Sequence, residues 1–190
     1  MNNKLVLVTG GSRSGKSEFA ERYVMQFSHK CDYIATAEVC DEEMAERVRF
    51  HRLRRSDVRW INHEAPYHAE EIFESLGTET QAVLFDCLTI YMGNLMYGKE
   101  AKLGSFTEKS NFILAEIDKL IAAAKACEKL TVFVTNEVGS AIVPDNQLAR
   151  EYSDLAGWVN QKVAAAADEV FYCVAGQAVD VKKISYKFKE

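Results

Sequence analysis

Proline is scarce in this chain: Pro66 and Pro144 are the only two in 190 residues. There is no proline-rich or low-complexity stretch to serve as a linker and no internal repeat, so the expectation is one domain spanning 1–190. Cysteine occurs without a pattern. Cys31, Cys40, Cys87, Cys127 and Cys173 contain no CxxC pair and make an odd total, which argues against a disulfide framework or a cysteine zinc site and for reduced thiols. Histidine is limited to His29, His51, His63 and His68, with no HxH or HxxxH spacing for a metal. Cationic charge is not in excess: 23 Lys and Arg stand against 28 Asp and Glu, a net charge of −5. The chain as a whole therefore has no pull toward nucleic acid or an anionic membrane, and any anion site must be local. No apolar run approaches the ~20 residues of a spanning helix, and the first residues lack the long apolar region of a signal peptide. A cytoplasmic protein without membrane insertion is expected.

Against these absences stand a 48% hydrophobic content, enough for one sizeable core, and an alternation of apolar runs with helical patterns. Leu5-Val6-Leu7-Val8, Cys31 to Thr36, Ala82 to Asp86, Leu130 to Thr135 and Val170 to Val174 read as strands, with a brief extended piece at 58–63. Helical spacing marks 17–27, 42–55 with Asp41 as its cap, 68–76, 88–97, 106–127 and a long segment from Asp145 to about Ala167. Strands separated by helices predict an α/β protein with a mainly parallel sheet and helices on both faces.

The motif with the clearest chemistry is Gly10-Gly11-Ser12-Arg13-Ser14-Gly15-Lys16-Ser17, set between the first strand and the first helix. That context reads as a phosphate-binding P-loop, in which the glycines let backbone N–H groups and the helix N-terminus point at phosphate oxygens; a glycine-rich turn with a solvated lysine is the plainer alternative. Lys16 would reach the β- and γ-phosphates, and Ser17 would offer a hydroxyl to a bridging Mg²⁺. Asp86, last in its strand, fits a second Mg²⁺-facing group, or else a cap for the helix that follows. Arg47, Arg49, Arg52, Arg54, Arg55 and Arg59 form a local cationic cluster around His51. Neighbouring guanidinium groups disfavour the imidazolium, leaving a neutral, nucleophilic His51 beside bound phosphate; a solvated basic helix face is the plainer alternative. Thr135-Asn136-Glu137-Val138-Gly139 places polar residues at a strand's C-terminal end, where open α/β sheets bind ligands, or where they simply satisfy a turn. Glu64 is either an acceptor for ribose or base, or a solvated loop residue.

Together these segments resemble the bifunctional adenosylcobinamide kinase/adenosylcobinamide-phosphate guanylyltransferase family of cobalamin biosynthesis. The likeness is carried by the P-loop, Tyr33-Ile34-Ala35-Thr36, Asp41 to Met44 leading to Arg47 and His51, and Asp86-Cys87-Leu88-Thr89. It continues through Thr135 to Gly139, Ile142-Val143-Pro144, Asn160-Gln161 and Ala167 to Val170. The resemblance implies a RecA-like P-loop fold and two successive reactions. A nucleoside triphosphate phosphorylates adenosylcobinamide; GTP then gives GMP to His51, and adenosylcobinamide phosphate takes it to yield adenosylcobinamide-GDP. It further implies ATP or GTP with Mg²⁺ held by Ser17 and Asp86, and nucleotide contacts from residues 10–17, Thr36, Ala37, Glu38, Arg52, Leu53, Arg54, Arg55, Glu64 and Asp86. Homotrimers are also implied. A monofunctional P-loop kinase for another small hydroxyl substrate and a nucleotide-binding switch are the competing readings.

Overall fold

The computed structural model describes residues 3–38, 59–102, 104–140 and 142–187. His51, Arg47, Arg49, Arg52, Leu53, Arg54, Arg55, Cys40 and the 42–55 helix expected from the sequence lie outside the described residues.

The chain runs β1 (Lys4–Gly10), α1 (Lys16–Phe27), β2 (Cys31–Ala35), β3 (Trp60–Glu64), α2 (Ala69–Ser75), β4 (Ala82–Asp86), α3 (Leu88–Tyr97), α4 (Phe106–Ala126), β5 (Leu130–Val134), α5 (Gln147–Ala166), β6 (Glu169–Val174), β7 (Gln177–Asp180) and α6 (Val181–Ile184). The strands form one sheet in the order β3-β2-β4-β5-β1-β6-β7. All neighbours are parallel except β6 and β7. The mainly parallel α/β sheet expected from the sequence is therefore present.

Because side chains alternate across a strand, the buried run of β1 feeds two cores. Leu5 and Leu7 face a layer with Ile34, Val83, Phe85 and Phe133, covered by α2, α3, α4 and α5. Val6 and Val8 face the other side with Leu84, Val132 and Val134, where Ala20 and Val24 of α1 pack. Within the larger core the rings of Phe85, Phe133 and Phe73 form a chain, with centroids 5.1 Å and 6.2 Å apart for successive pairs.

Local chemistry sets the element ends. Ser105 and Glu108 make a reciprocal capping box at the start of α4. Asn146, not Asp145, caps α5 by accepting from the Ala149 N–H at 2.8 Å. Strand β7 and the short α6 are additions to the sequence reading. They follow a two-residue hairpin turn in which Ala175 and Gly176 have φ of 49° and 77°, the left-handed pair that matches strand twist.

Phe133 lies far inside and touches no group with site chemistry, so it reports on packing alone. Phe133→Ala should lower unfolding free energy by about 3–5 kcal/mol, read from urea melts as a shifted midpoint with unchanged slope. A loss under about 1 kcal/mol would contradict the packing described.

Candidate functional site

The sheet gathers the site along one edge. Register places Glu64, Ala35, Asp86, Val134 and Val8 in a single row across β3, β2, β4, β5 and β1. The phosphate loop begins just beyond Val8, at the C-terminal end of the strands where open α/β sheets hold ligands. One strand, β5, separates β4 from β1, which puts Asp86 roughly 10 Å across the sheet from the row position below the loop. Glu64 is four strands from β1, roughly 20 Å along the same edge. It therefore stands at the end of the site remote from the phosphate loop.

The loop's shape follows from close backbone approaches. A Cβ on Gly10 would meet the Cys173 carbonyl oxygen at 2.5 Å and Ser14 Oγ at 2.6 Å. Gly15, with φ 92°, forms the N-cap of α1 and would bring a Cβ to 3.1 Å from Gly176 Cα. Two neighbouring segments clasp the loop: the Glu137 N–H donates to the Gly10 carbonyl (3.1 Å) and the Gly176 N–H to the Ser14 carbonyl (3.0 Å). With those carbonyls held outward, the first turn of α1 keeps N–H groups that have no intrahelical acceptor, a ready anion cradle. Lys16 Nζ donates to the Gly11 carbonyl at 3.1 Å, so its ammonium lies over the loop. The buried Ser14 hydroxyl has no protein partner.

Asp86 is held by the protein rather than used as a cap. The N-cap of α3 is Cys87, with no side-chain cap bond, so the capping alternative for Asp86 fails. Tyr33 donates its hydroxyl to Asp86 Oδ2 at 3.1 Å across the β2–β4 pair. Thr36 braces the next residue: its hydroxyl accepts from the Cys87 N–H (2.8 Å) and donates to the Cys87 carbonyl (3.0 Å). The Thr36 N–H donates to the Asp86 carbonyl (3.2 Å), and Asn94 Nδ2 donates to the Thr36 carbonyl (2.7 Å). Thr36 is 0% exposed. Its hydroxyl and backbone groups are bonded inside the protein, where they position Asp86 and Cys87.

Among the other expected contacts, Glu38 pairs with Lys99 (2.5 Å) and accepts from the Tyr67 hydroxyl (2.8 Å). Those two donors, Lys99 first, hold its carboxyl below the usual range. Ala37 brings only backbone, and Glu64 is exposed at the end of β3. Burial, then the Asp86 carboxylate, pushes the Cys87 thiol up to about 11. Oxygen donors are therefore what this end of the sheet offers a cation: the Ser17 hydroxyl and the Asp86 carboxylate. A hard cation such as Mg²⁺, which keeps waters and phosphate oxygens as its remaining ligands, fits that donor set.

Polar residues after β5 form a second network that the sequence marks only in part. Thr135 Oγ1 donates to Asn160 Oδ1 (2.7 Å), Asn160 Nδ2 to the Asn136 carbonyl (3.1 Å), and Asn136 Nδ2 to Thr89 Oγ1 (2.8 Å). This network ties the ends of β5, α5 and α3 together beside the loop. Tyr33, Thr89 and Asn94 are site-shaping residues that sequence reasoning missed, since only strand register reveals their neighbours. The described histidines lie elsewhere. His63 bonds Asp32 Oδ1 (2.9 Å), His68 bonds Glu100 Oε2 (2.9 Å), and His29 follows α1 on the opposite edge.

Comparison with known proteins bears on this geometry. The sequence profile of the family described as cobinamide kinase / cobinamide phosphate guanyltransferase matches residues 6–181. The chain belongs to this family. It is 42% identical over 182 residues to the bifunctional adenosylcobalamin biosynthesis protein CobU of Escherichia coli, covering 94% of this chain and 99% of that one. The Salmonella typhimurium protein of the same name is 39% identical over the same shares. The Pseudomonas aeruginosa bifunctional adenosylcobalamin biosynthesis protein CobP is 32% identical, over 93% of this chain and 96% of that one. A solved KaiC-like protein from Pyrococcus horikoshii aligns over 90% of this chain and 70% of its own at TM-score 0.49 and 11% identity. The strand order leaves one strand, β5, between the loop strand β1 and the acid-bearing strand β4.

The tightness at Gly10 yields a direct test. Gly10→Ala should lower nucleotide affinity at least tenfold in calorimetric titration, while far-ultraviolet circular dichroism stays unchanged. Wild-type affinity would contradict the contacts at Cys173 and Ser14.

Proposed function

We propose that this chain phosphorylates adenosylcobinamide with a nucleoside triphosphate and then transfers GMP from GTP to the product through His51. The observation that carries the reading is a cradle for one triphosphate in a chain that the family profile matches from residue 6 to residue 181. The relatives are named bifunctional adenosylcobalamin biosynthesis proteins, and the match covers 99% of their own length. In the kinase step the acceptor hydroxyl oxygen bonds to the γ-phosphorus and its proton passes to solvent, the bond to the β-phosphate oxygen breaks, and the nucleoside diphosphate leaves. Lys16 and the N–H groups of residues 12–17 neutralise the charge on the transferring group, and catalysis here is mainly positioning and charge stabilisation. Ser17 and Asp86 are the residues that would hold Mg²⁺, which when bound neutralises phosphate charge.

In the second reaction a neutral His51 nitrogen attacks the α-phosphorus of GTP, an N–P bond forms, and pyrophosphate leaves. A phosphate oxygen of adenosylcobinamide phosphate then attacks the same phosphorus, the N–P bond breaks, and adenosylcobinamide-GDP and free histidine result. Arg52, Arg54 and Arg55, with the backbone at Leu53, supply charge-assisted contacts to the GTP phosphates. Splitting the transfer in two means that GTP and the bulky corrinoid need not be bound together. The resemblance supports a cytoplasmic homotrimer that uses small-molecule substrates, and the acidic net charge gives the chain no overall pull toward nucleic acid. Among the described residues no helix is long and apolar enough to cross a membrane.

Two substitutions separate the steps. Lys16→Ala should abolish both activities, a loss of about 10²-fold or more. His51→Ala should lose guanylyl transfer and keep phosphorylation. Incubation with α-³²P-labelled GTP should label the wild type through an acid-labile, alkali-stable bond and leave His51→Ala unlabelled. An unlabelled wild type that still phosphorylates its substrate would reduce the chain to a kinase alone, and label on His51→Ala would place the nucleophile elsewhere.

A further inference from the structure

We propose that the groove between the segment following β5 and the face of α5 from Arg150 to Gln161 is the acceptor site, taking one edge of the cobinamide ring and delivering its hydroxyl arm to the phosphate loop. This rests on the kinase reading above. The groove encloses about 350 Å³, within the range of ligand pockets and suited to an arm and a ring edge rather than a whole corrinoid. One wall is apolar, formed by Val138, Ile142, Val143, Pro144 and Trp158. Ser153, Asp154 and Gln161 supply hydroxyl, carboxylate and amide groups on the α5 side.

Position argues for an acceptor. The groove starts at Val138, the residue after Glu137, whose N–H bonds the Gly10 carbonyl at the start of the loop. A hydroxyl that attacks a γ-phosphate must come within about 3.5 Å of it, so its carrier must lie against a surface continuous with the loop. This groove is such a surface.

The apolar wall is also held open. Ile142 and Val143 are 94% and 76% exposed, adjacent on a segment that is pinned instead of folded inward. Arg150 donates to the carbonyls of Pro144 (2.9 Å) and Asp145 (2.7 Å), and the Gly139 N–H donates to Glu137 Oε1 (2.8 Å). Trp158 is backed by Phe106, stacked at 5.8 Å and 28°, which fixes its indole at the groove. Cobinamide is a broad apolar ring edged with primary amides, each needing an acceptor and a donor. Asp154, Ser153 and Gln161 beside an apolar wall match that chemistry, whereas among the described lining residues a nucleotide would find one cation, Arg150, already bonded to backbone carbonyls.

The test is the double variant Ile142→Ser with Val143→Ser, chosen because both side chains are exposed and their loss leaves the core intact. The acceptor KM should rise roughly tenfold for two apolar contacts removed, with kcat at saturation and the nucleotide KM within twofold of wild type. An unchanged acceptor KM in an active enzyme would overturn the site. A changed subunit number by light scattering with an unchanged acceptor KM would overturn it in favour of a contact between copies. If the wild type fails to phosphorylate cobinamide, the kinase reading falls separately. Equilibrium dialysis of cobinamide then decides the groove: weaker binding by the variant supports it, and equal or absent binding overturns it.

Discussion

Two backbone hydrogen bonds hold the phosphate loop in its working shape, one from the Glu137 N–H to the Gly10 carbonyl and one from the Gly176 N–H to the Ser14 carbonyl. They come from opposite flanks, the first from the end of β5 and the second from the β6–β7 turn. A Cβ on Gly15 would crowd Gly176, and one on Gly10 would strike the Cys173 carbonyl and Ser14, so the loop keeps this shape only with glycine at both positions. Turning those carbonyls to protein donors leaves the amides at the start of α1 facing the ligand side, where their partial positive charge is of use. The rest of the sheet serves this clasp: β5 and β6 flank β1 in parallel register, and any slip would carry a donor away from its carbonyl.

The acid-bearing end of β4 is built on the same logic with side chains in place of amides. Thr36, Tyr33 and Asn94 come from β2, the segment after it, and α3, and together they fix Asp86 and Cys87. A buried hydroxyl that both accepts from and donates to one residue costs little, since its proton and one of its lone pairs are both used. Beneath it the Phe73, Phe133 and Phe85 rings fill the space under α2 and α4, so the polar brace stands on a close-packed floor. Asn160 does the equivalent work for the β5 end, tying Thr135 and Asn136 to the long α5.

Much of this was legible in the residues. The P-loop between an apolar run and a helical pattern, Asp86 closing its strand, and the α/β alternation all follow from local rules of period and turn chemistry. The β6–β7 hairpin was not read, although Ala175-Gly176 flanked by Val174 and Ala178 carries a turn signal, because four residues are too few for a clear alternation. The bracing role of Thr36 was hidden for a different reason. A threonine after a strand looks like a ligand contact until the neighbouring strand is known, and β2 meets β4 across some fifty residues of sequence.

The sequence by itself determined the family, the kind of fold, the phosphate loop and His51 as the candidate nucleophile, because each depends on residue identity at short range. Tertiary structure alone decided the strand order that puts one strand between Asp86 and the loop, the row that sets Glu64 at the remote end of the edge, and the pairing of Tyr33 with Asp86. It also decided that Ile142 and Val143 stand exposed on the segment after β5. These depend on which distant strands share hydrogen bonds, and register across a parallel sheet is fixed by packing on both of its faces rather than by any local signal.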